Sequence, residues 1–245
     1  MTRFFIDPSK IGHKTIYLNN EDITHIRSLR LRPSEFFIVC DGNGLDYICK
    51  LSENKKNAVA EIIDKRVSVG EPVVKCSVYI AYAKGDRLDY AVQKSVELGA
   101  YEIILYPSAR CISKPVDTYK KAARMQRIAL ETAKQCDRGR VPQVFSVNTY
   151  DEAITLAGQA DLPLFFYEFE DELSLKTVLE HRANESESPN SISIVIGPEG
   201  GFEPHEAEYA KGKGLIVTSL GSRILRCETA PVAALAAIMF FFGEM

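Results

Sequence analysis

Two glycine-bearing turns, each placed between an apolar strand and a helix, constrain this chain more than any other feature. In the first, Ile192, Ile194, Val195 and Ile196 make a β-branched run that reads as a buried strand and stops at Gly197-Pro198. Gly200-Gly201 follow, and residues 202–213 read as a helix with Glu203 and Glu206 in its first turn. A strand, a glycine turn and a helix is how α/β folds present bare backbone to a ligand at the carboxyl edge of a sheet. Glycines that only supply positive φ to a tight turn are the plainer reading of the same residues. The second turn begins at Ser219, after the apolar strand 215–219, and it too leads into a helix. Two such turns at one sheet edge would line a single pocket. Neither is a phosphate loop: G-x-x-x-x-G-K-[ST] and G-x-G-x-x-G are both absent, which argues against a nucleoside triphosphate or a dinucleotide.

At 245 residues and 46% apolar, the chain has the length for two modest domains or one large one, and the composition for a proper core. The six cysteines are scattered without a C-x-x-C, and the four histidines have no ligand-like spacing. Reduced cytosolic thiols and no metal are expected. Residues 1–5 do not read as a signal peptide, and the apolar run 230–242, interrupted by Pro231, is too short to span a membrane and reads as a buried helix. The net charge of −3 is unevenly placed. Residues 110–140 hold nine Lys/Arg against three acids, whereas residues 150–210 hold fourteen acids against two bases. A basic patch beside an acidic lobe points to a polyanionic partner docking on one face; solvated helix faces explain the same charges. The overall acidity argues against indiscriminate nucleic-acid coating.

Residues 1–70 read as mostly β, with strands at 4–6, 15–18, 35–40, 45–51 and 58–66 and a hairpin signal at Asp41-Gly42-Asn43-Gly44. One helix is expected at 21–30. Short strands with a single helix suggest a small barrel, on which Arg3, Arg27, Arg30 and Arg32 form either a nucleic-acid face or ordinary surface charge. Residues 67–73, with Gly70 and Pro72, read as a linker, dividing the chain into 1–70 and 73–245. Beyond it, strands at 76–83, 102–106, 143–147, 162–167 and 192–196 alternate with helices at 88–98, 117–136, 150–158 and 173–180. That alternation means a parallel sheet covered on both faces.

The residues of the two turns also carry a resemblance. Gly197-Pro198-Glu199-Gly200-Gly201-Phe202, followed by Leu220-Gly221-Ser222-Arg223-Ile224-Leu225-Arg226-Cys227-Glu228-Thr229-Ala230, resembles the SPOUT superfamily of S-adenosylmethionine-dependent RNA methyltransferases. More closely it is similar to the RsmE family, which methylates a uridine of 16S ribosomal RNA at ring nitrogen 3. Arg3-Phe4-Phe5, His25-Ile26-Arg27 with Leu29-Arg30, Asp41-Gly42, Lys84 with Asp86, Glu97-Leu98-Gly99, Arg110, and Gln135-Cys136-Asp137-Arg138 before Val141-Pro142 are similar in the same order. The resemblance thus covers essentially the whole chain. Its departures are small: Cys136-Asp137 stands where Ser-Gly is common, and Cys227 occupies a variable position.

The resemblance implies an α/β protein: an N-terminal PUA-like β-barrel that binds RNA, and a C-terminal SPOUT α/β domain with a trefoil knot. Periodicity does not show the knot. It also implies a cytoplasmic homodimer acting on 16S rRNA of the small ribosomal subunit, with the last helix near the dimer interface and no membrane or metal involved. S-adenosyl-L-methionine would be held at Phe166, Tyr167, Gly197, Pro198, Glu199, Gly200, Leu220, Gly221, Ile224, Leu225 and Arg226. Glu199 faces cofactor or substrate, or merely starts a helix. Proton loss from the uracil ring calls for a donor on a carbonyl oxygen, for which Arg223 is the first choice and Arg226 the second. Arg3, Arg27, Arg30, Arg110 and Arg138 would position RNA through its phosphates. No convincing general base is present; His205 is merely near in sequence. Two competing readings are a non-catalytic RNA-binding or ribosome-assembly factor, and methylation of a ribose hydroxyl or another ring nitrogen.

Overall fold

The computed structural model describes residues 3–19, 22–24, 26, 35–51, 59–112, 114–184 and 188–245. Contacts divide the chain into two compact units, residues 1–71 with 133–141 and residues 72–132 with 142–245.

The first unit is a mixed five-stranded sheet of β1 (Arg3–Phe5), β2 (Thr15–Tyr17), β3 (Phe37–Cys40), β4 (Leu45–Leu51) and β5 (Val59–Val67), in the order β1-β3-β4-β5-β2. Only the β1–β3 pair is parallel. The β3–β4 connection is the expected tight hairpin. Gly42 and Gly44 have φ of 75° and 97°, and Asp41 Oδ1 accepts from the amides of Asn43 (2.8 Å) and Leu45 (3.0 Å). Phe4, Ile16, Phe37, Val39 and Ala60 fill the core, with Phe4 edge-on to Phe37 at 5.7 Å. Most of the helix expected at 21–30 lies outside the described residues; 22–24 and 26 are helical.

The segment after β5 is not a loose linker. Ser68 is buried and its Oγ donates to Asp46 at 2.6 Å. Glu71 accepts from the amides of Gly139 (2.9 Å) and Arg140 (3.0 Å). The Gly139 carbonyl in turn accepts from the Gly44 amide (3.1 Å) and from Cys40 Sγ (2.8 Å). A linear division at 70–73 assigns residues 133–141 to the second domain; these bonds group them with the first. Gly139 cannot be replaced easily, because a Cβ there would stand 2.0 Å from that of Ser68.

The second unit is a six-stranded parallel sheet: β6 (Lys75–Ala81), β7 (Glu102–Tyr106), β8 (Gln143–Ser146), β9 (Leu162–Phe166), β10 (Ser191–Ile196) and β11 (Ile216–Thr218). Their order is β11-β9-β10-β6-β7-β8. β10 is hydrogen-bonded on both edges, and Ile192, Ile194, Val195 and Ile196 are all buried, which is why its sequence does not alternate. Among the described residues six helices accompany the sheet: α1 (Arg87–Glu97), α2 (Thr118–Gln135), α3 (Tyr150–Ala157), α4 (Leu175–Ala183), α5 (Pro204–Gly212) and α6 (Ala230–Phe241). Thr149 and Ser174 cap α3 and α4 through their hydroxyls. α5 begins later than the expected 202, because Phe202 is fully buried with its ring 4.3 Å from that of Phe165. Glu203 is therefore the cap, and its amide donates to Glu206 Oε2 at 2.9 Å. β9, β10 and β11 are neighbours running in one direction, so the turns that follow them emerge at a single sheet edge.

Candidate active site

The turns after β9, β10 and β11 line one cleft of about 1010 Å³. The β9 turn contributes Phe166 and Tyr167, the β10 turn Gly197, Pro198, Glu199 and Gly200. The β11 turn contributes Leu220, Gly221, Arg223, Ile224, Leu225 and Arg226. Arg110 lines it as well, from the loop after β7.

The glycines are there because side chains do not fit. A Cβ on Gly197 would stand 2.9 Å from the Phe202 ring, and one on Gly200 would stand 3.1 Å from Arg110 Cβ. Gly201 has a φ of 66°, and a Cβ on it would run into the Glu168 carboxylate. The β11 turn offers bare backbone of another kind. Upstream it is zipped to the β9 turn, Ser219 donating to the Leu173 carbonyl (3.0 Å) and accepting from the Leu175 amide (2.9 Å). From 220 to 226, no backbone N–H finds a partner among the described residues. Regular pairing resumes where the amides of Thr229 and Ala230 reach the Arg226 carbonyl. Such a row of unpaired donors is satisfied only by water or a ligand.

Four arginines face this cleft in two different conditions. Arg110 is fully engaged: Nε and Nη2 grip Glu203 at 2.9 and 3.1 Å, and Nη1 donates to the Gly200 carbonyl at 2.9 Å. The bond to Glu203 raises the Arg110 pKa and lowers that of Glu203. Arg110 thus braces the Gly200 turn instead of reaching for phosphate. Arg87, which the sequence did not single out, donates to Glu199 at 2.9 Å and lies 3.9 Å from Glu228. Arg223 and Arg226 are exposed, and their side chains make no ion pair or hydrogen bond with any described residue.

Glu199 is not a helix-start acid, since Glu203 holds that position. Its Oε1 accepts from the Lys84 amide (2.7 Å) and from Arg87, tying the β10 turn to the approach to α1. Burial pushes the Glu199 carboxyl up, but these donors outweigh it and hold the carboxyl below its ordinary value. His205 is exposed on α5 and does not line the cleft.

Two arginines assigned to RNA are internal. Arg3 is 7% exposed and grips Asp46 with both terminal nitrogens, Nη2 at 2.9 Å. Arg138 is 3% exposed and binds Glu71 through Nη2 (2.7 Å) and Nε (3.1 Å). Walled in and neutralised, neither reaches a phosphate. Arg27 and Arg30, like His25 and Arg32, lie outside the described residues. Besides Arg87, sequence reading passed over Phe169, a cleft residue whose ring is two-thirds exposed and meets Tyr167 edge-on at 5.5 Å. Only its adjacency to Tyr167 hinted at it.

With this geometry in view, the RNA methyltransferase domain family matches residues 70–239, and the RNA methyltransferase PUA domain family matches residues 18–63. The chain belongs to the RNA methyltransferase family. It is similar to ribosomal RNA small subunit methyltransferase E of Bacillus subtilis, at 31% identity over 98% of this chain and 96% of that protein. It also resembles the crystal structure of a ribosomal RNA small subunit methyltransferase E from Neisseria gonorrhoeae bound to S-adenosyl methionine. There the identity is 31%, the TM-score 0.82, and the coverage 98% of this chain and 97% of that one. A putative methyltransferase from Legionella pneumophila, solved with the same cofactor, matches at 25% identity and a TM-score of 0.79, covering 98% and 97% of the two chains. As a family member the chain has a PUA domain ahead of a parallel-sheet methyltransferase domain, and the cleft lies in the latter.

Proposed function

We propose that this protein transfers the methyl group of S-adenosylmethionine to ring nitrogen 3 of a uridine in 16S ribosomal RNA of the small subunit. One observation carries the reading. In a cleft where Arg87 and Arg110 are already held by carboxylates, the guanidinium groups of Arg223 and Arg226 have no partner among the described residues.

The cleft fits the cofactor by size and by chemistry. Its volume of about 1010 Å³ holds a molecule of that class, and the unpaired amides of 220–226 suit adenine, ribose and carboxylate acceptors. Phe166, Tyr167, Gly197, Pro198, Glu199, Gly200, Leu220, Gly221, Ile224, Leu225 and Arg226 would hold it. When bound, the cofactor supplies an electrophilic methyl on a sulfonium. The turns fix the direction from which the base approaches and exclude water. As the N3 proton leaves, negative charge spreads onto the ring carbonyl oxygens, where the Arg223 guanidinium donates; Arg226 is the second donor. The proton passes from N3 to water or a phosphate.

The reading extends to a trefoil knot in the methyltransferase domain, a cytoplasmic site of action and a homodimer. Support for the last comes from α6, which carries no charged residue and leaves Phe240 78% and Phe241 38% exposed. Light scattering on the purified protein tests the dimer.

The decisive experiment is methyl incorporation from labelled cofactor into 16S RNA, as naked transcript and as small subunits from cells lacking the gene. The modified nucleoside is then identified by mass spectrometry. A single 3-methyluridine is expected; a ribose methyl or another methylated base overturns the N3 assignment. Absence of cofactor binding overturns the enzymatic reading.

A further inference from the structure

The basic run of residues 110–140 shrinks when each cation is asked for its partner. Arg110 and Arg138 are held by Glu203 and Glu71, and Arg124 is paired with Asp89. Lys121 is half-buried, its pKa pushed down by burial despite Asp89 nearby. Lys134 and Arg140 are engaged with neighbours. Three exposed cations remain. Lys114 and Arg127 make no ion pair with any described residue, and Lys120, 84% exposed at its side chain, meets only Asp117 at 3.4 Å. An exposed contact of that kind is worth little.

These three are accompanied by apolar side chains that a solvated charged face does not require. Ile112 is 72% and Tyr119 82% exposed, and Val116 is fully exposed. α2 buries Ala122, Met125, Ala129 and Thr132 on one side. Lys120 and Arg127, seven residues apart, share the opposite side about 10.5 Å from each other along the axis. The strip begins two residues after Arg110, which lines the cleft. The turn after β9 has the opposite character: Glu168, Glu170, Asp171 and Glu172 follow one another around Phe169 and would repel a phosphodiester.

We propose that Ile112, residues 114–117 and the outward face of α2 form the track on which the single-stranded RNA flanking the target nucleotide lies. Lys114, Lys120 and Arg127 take phosphates, and Tyr119 stacks on a base. Cations interleaved with exposed rings are how proteins hold single strands without reading their sequence. The proposal rests on the rRNA-methylation reading for the identity of the polymer, and not on which atom is methylated.

The test compares the full-length wild type with a Lys114→Ala/Arg127→Ala double variant, Tyr119→Ala and Tyr119→Phe. Initial rates are taken against 16S transcript at several KCl concentrations, with cofactor affinity and melting temperature as folding controls. The double variant is expected to raise the KM for RNA about tenfold with kcat within about twofold, and to flatten the log–log salt slope by about 1.4. Tyr119→Ala should raise the KM at least about fivefold, and Tyr119→Phe should restore it. Unchanged KM and salt slope in variants that bind cofactor normally would overturn the track. A wild-type product other than 3-methyluridine would sink the N3 assignment alone, and the salt slopes would still decide the track. If the wild type transfers no methyl to rRNA, the same variants are compared by titration of a fluorescent 16S fragment; loss of salt-dependent affinity supports the track and its retention refutes it.

Discussion

The arginines of the first unit and those of the cleft are one chemical group in opposite circumstances. Arg3 and Arg138 are buried and grip Asp46 and Glu71; Arg223 and Arg226 are exposed, and their side chains have no partner among the described residues. A guanidinium stripped of water must be neutralised, at a desolvation penalty of several kcal/mol if it is not. One left exposed keeps its five donors for a ligand. An arginine therefore says little about RNA binding until its partner is known.

The sharpest way to break this contrast is to truncate one arginine of each kind. Arg3→Ala leaves the Asp46 carboxylate buried without its cation, and should cost about 3–5 kcal/mol in denaturant unfolding. Arg223→Ala should leave unfolding unchanged and lower kcat about 10²–10³-fold, with Arg223→Lys recovering only part of it. Equal unfolding losses in both variants would erase the distinction. Gly200→Leu probes the bare backbone: with a Cβ 3.1 Å from Arg110 Cβ, it should weaken cofactor binding about tenfold or more in calorimetry while RNA affinity stays.

pH sharpens the same contrast. Burial pushes the Asp46 carboxyl up, but hydrogen bonds from Arg3 and Ser68 outweigh it and leave the pKa below its ordinary value. A depressed carboxyl stabilises the fold fully above its unfolded pKa of about 3.9, and that contribution is lost as pH falls through the lower folded value. Stability should therefore decline on the acid side, and Asp46→Asn should flatten that decline in pH-dependent melting. The smallest effect belongs to the exposed pair Lys94–Glu97 at 2.8 Å, where Lys94→Ala should change stability by no more than about 0.5 kcal/mol.

Local features were the legible ones. The β-branched run before Gly197, the Asp41–Gly44 hairpin and the strand–helix alternation beyond residue 73 depend on neighbours within a few positions, and the structure has them where the pattern puts them. What stayed hidden depends on tertiary pairing. Arg3 finds Asp46 at a separation of 43 residues, and Arg138 finds Glu71 at 67, so no window on the sequence distinguishes them from Arg223. Helix α5 starts late because Phe202 has a partner, Phe165, on a distant strand. Arg87 and Phe169 escaped notice because cleft lining is a property of where turns meet, not of composition.

The Gly139 peptide has a consequence for how this protein could be taken apart. Its carbonyl caps Cys40 and Gly44, and its amide anchors Glu71, yet it is encoded beyond the first 61 residues of the other unit. A gene segment ending at residue 71 specifies all five strands of the first sheet but not the peptide that closes its hairpin side, leaving the Cys40 thiol and the Glu71 carboxylate without these partners. The N-terminal unit is thus not a cassette that recombination can cut out and move whole; whatever inherits it must inherit residues 133–141 as well.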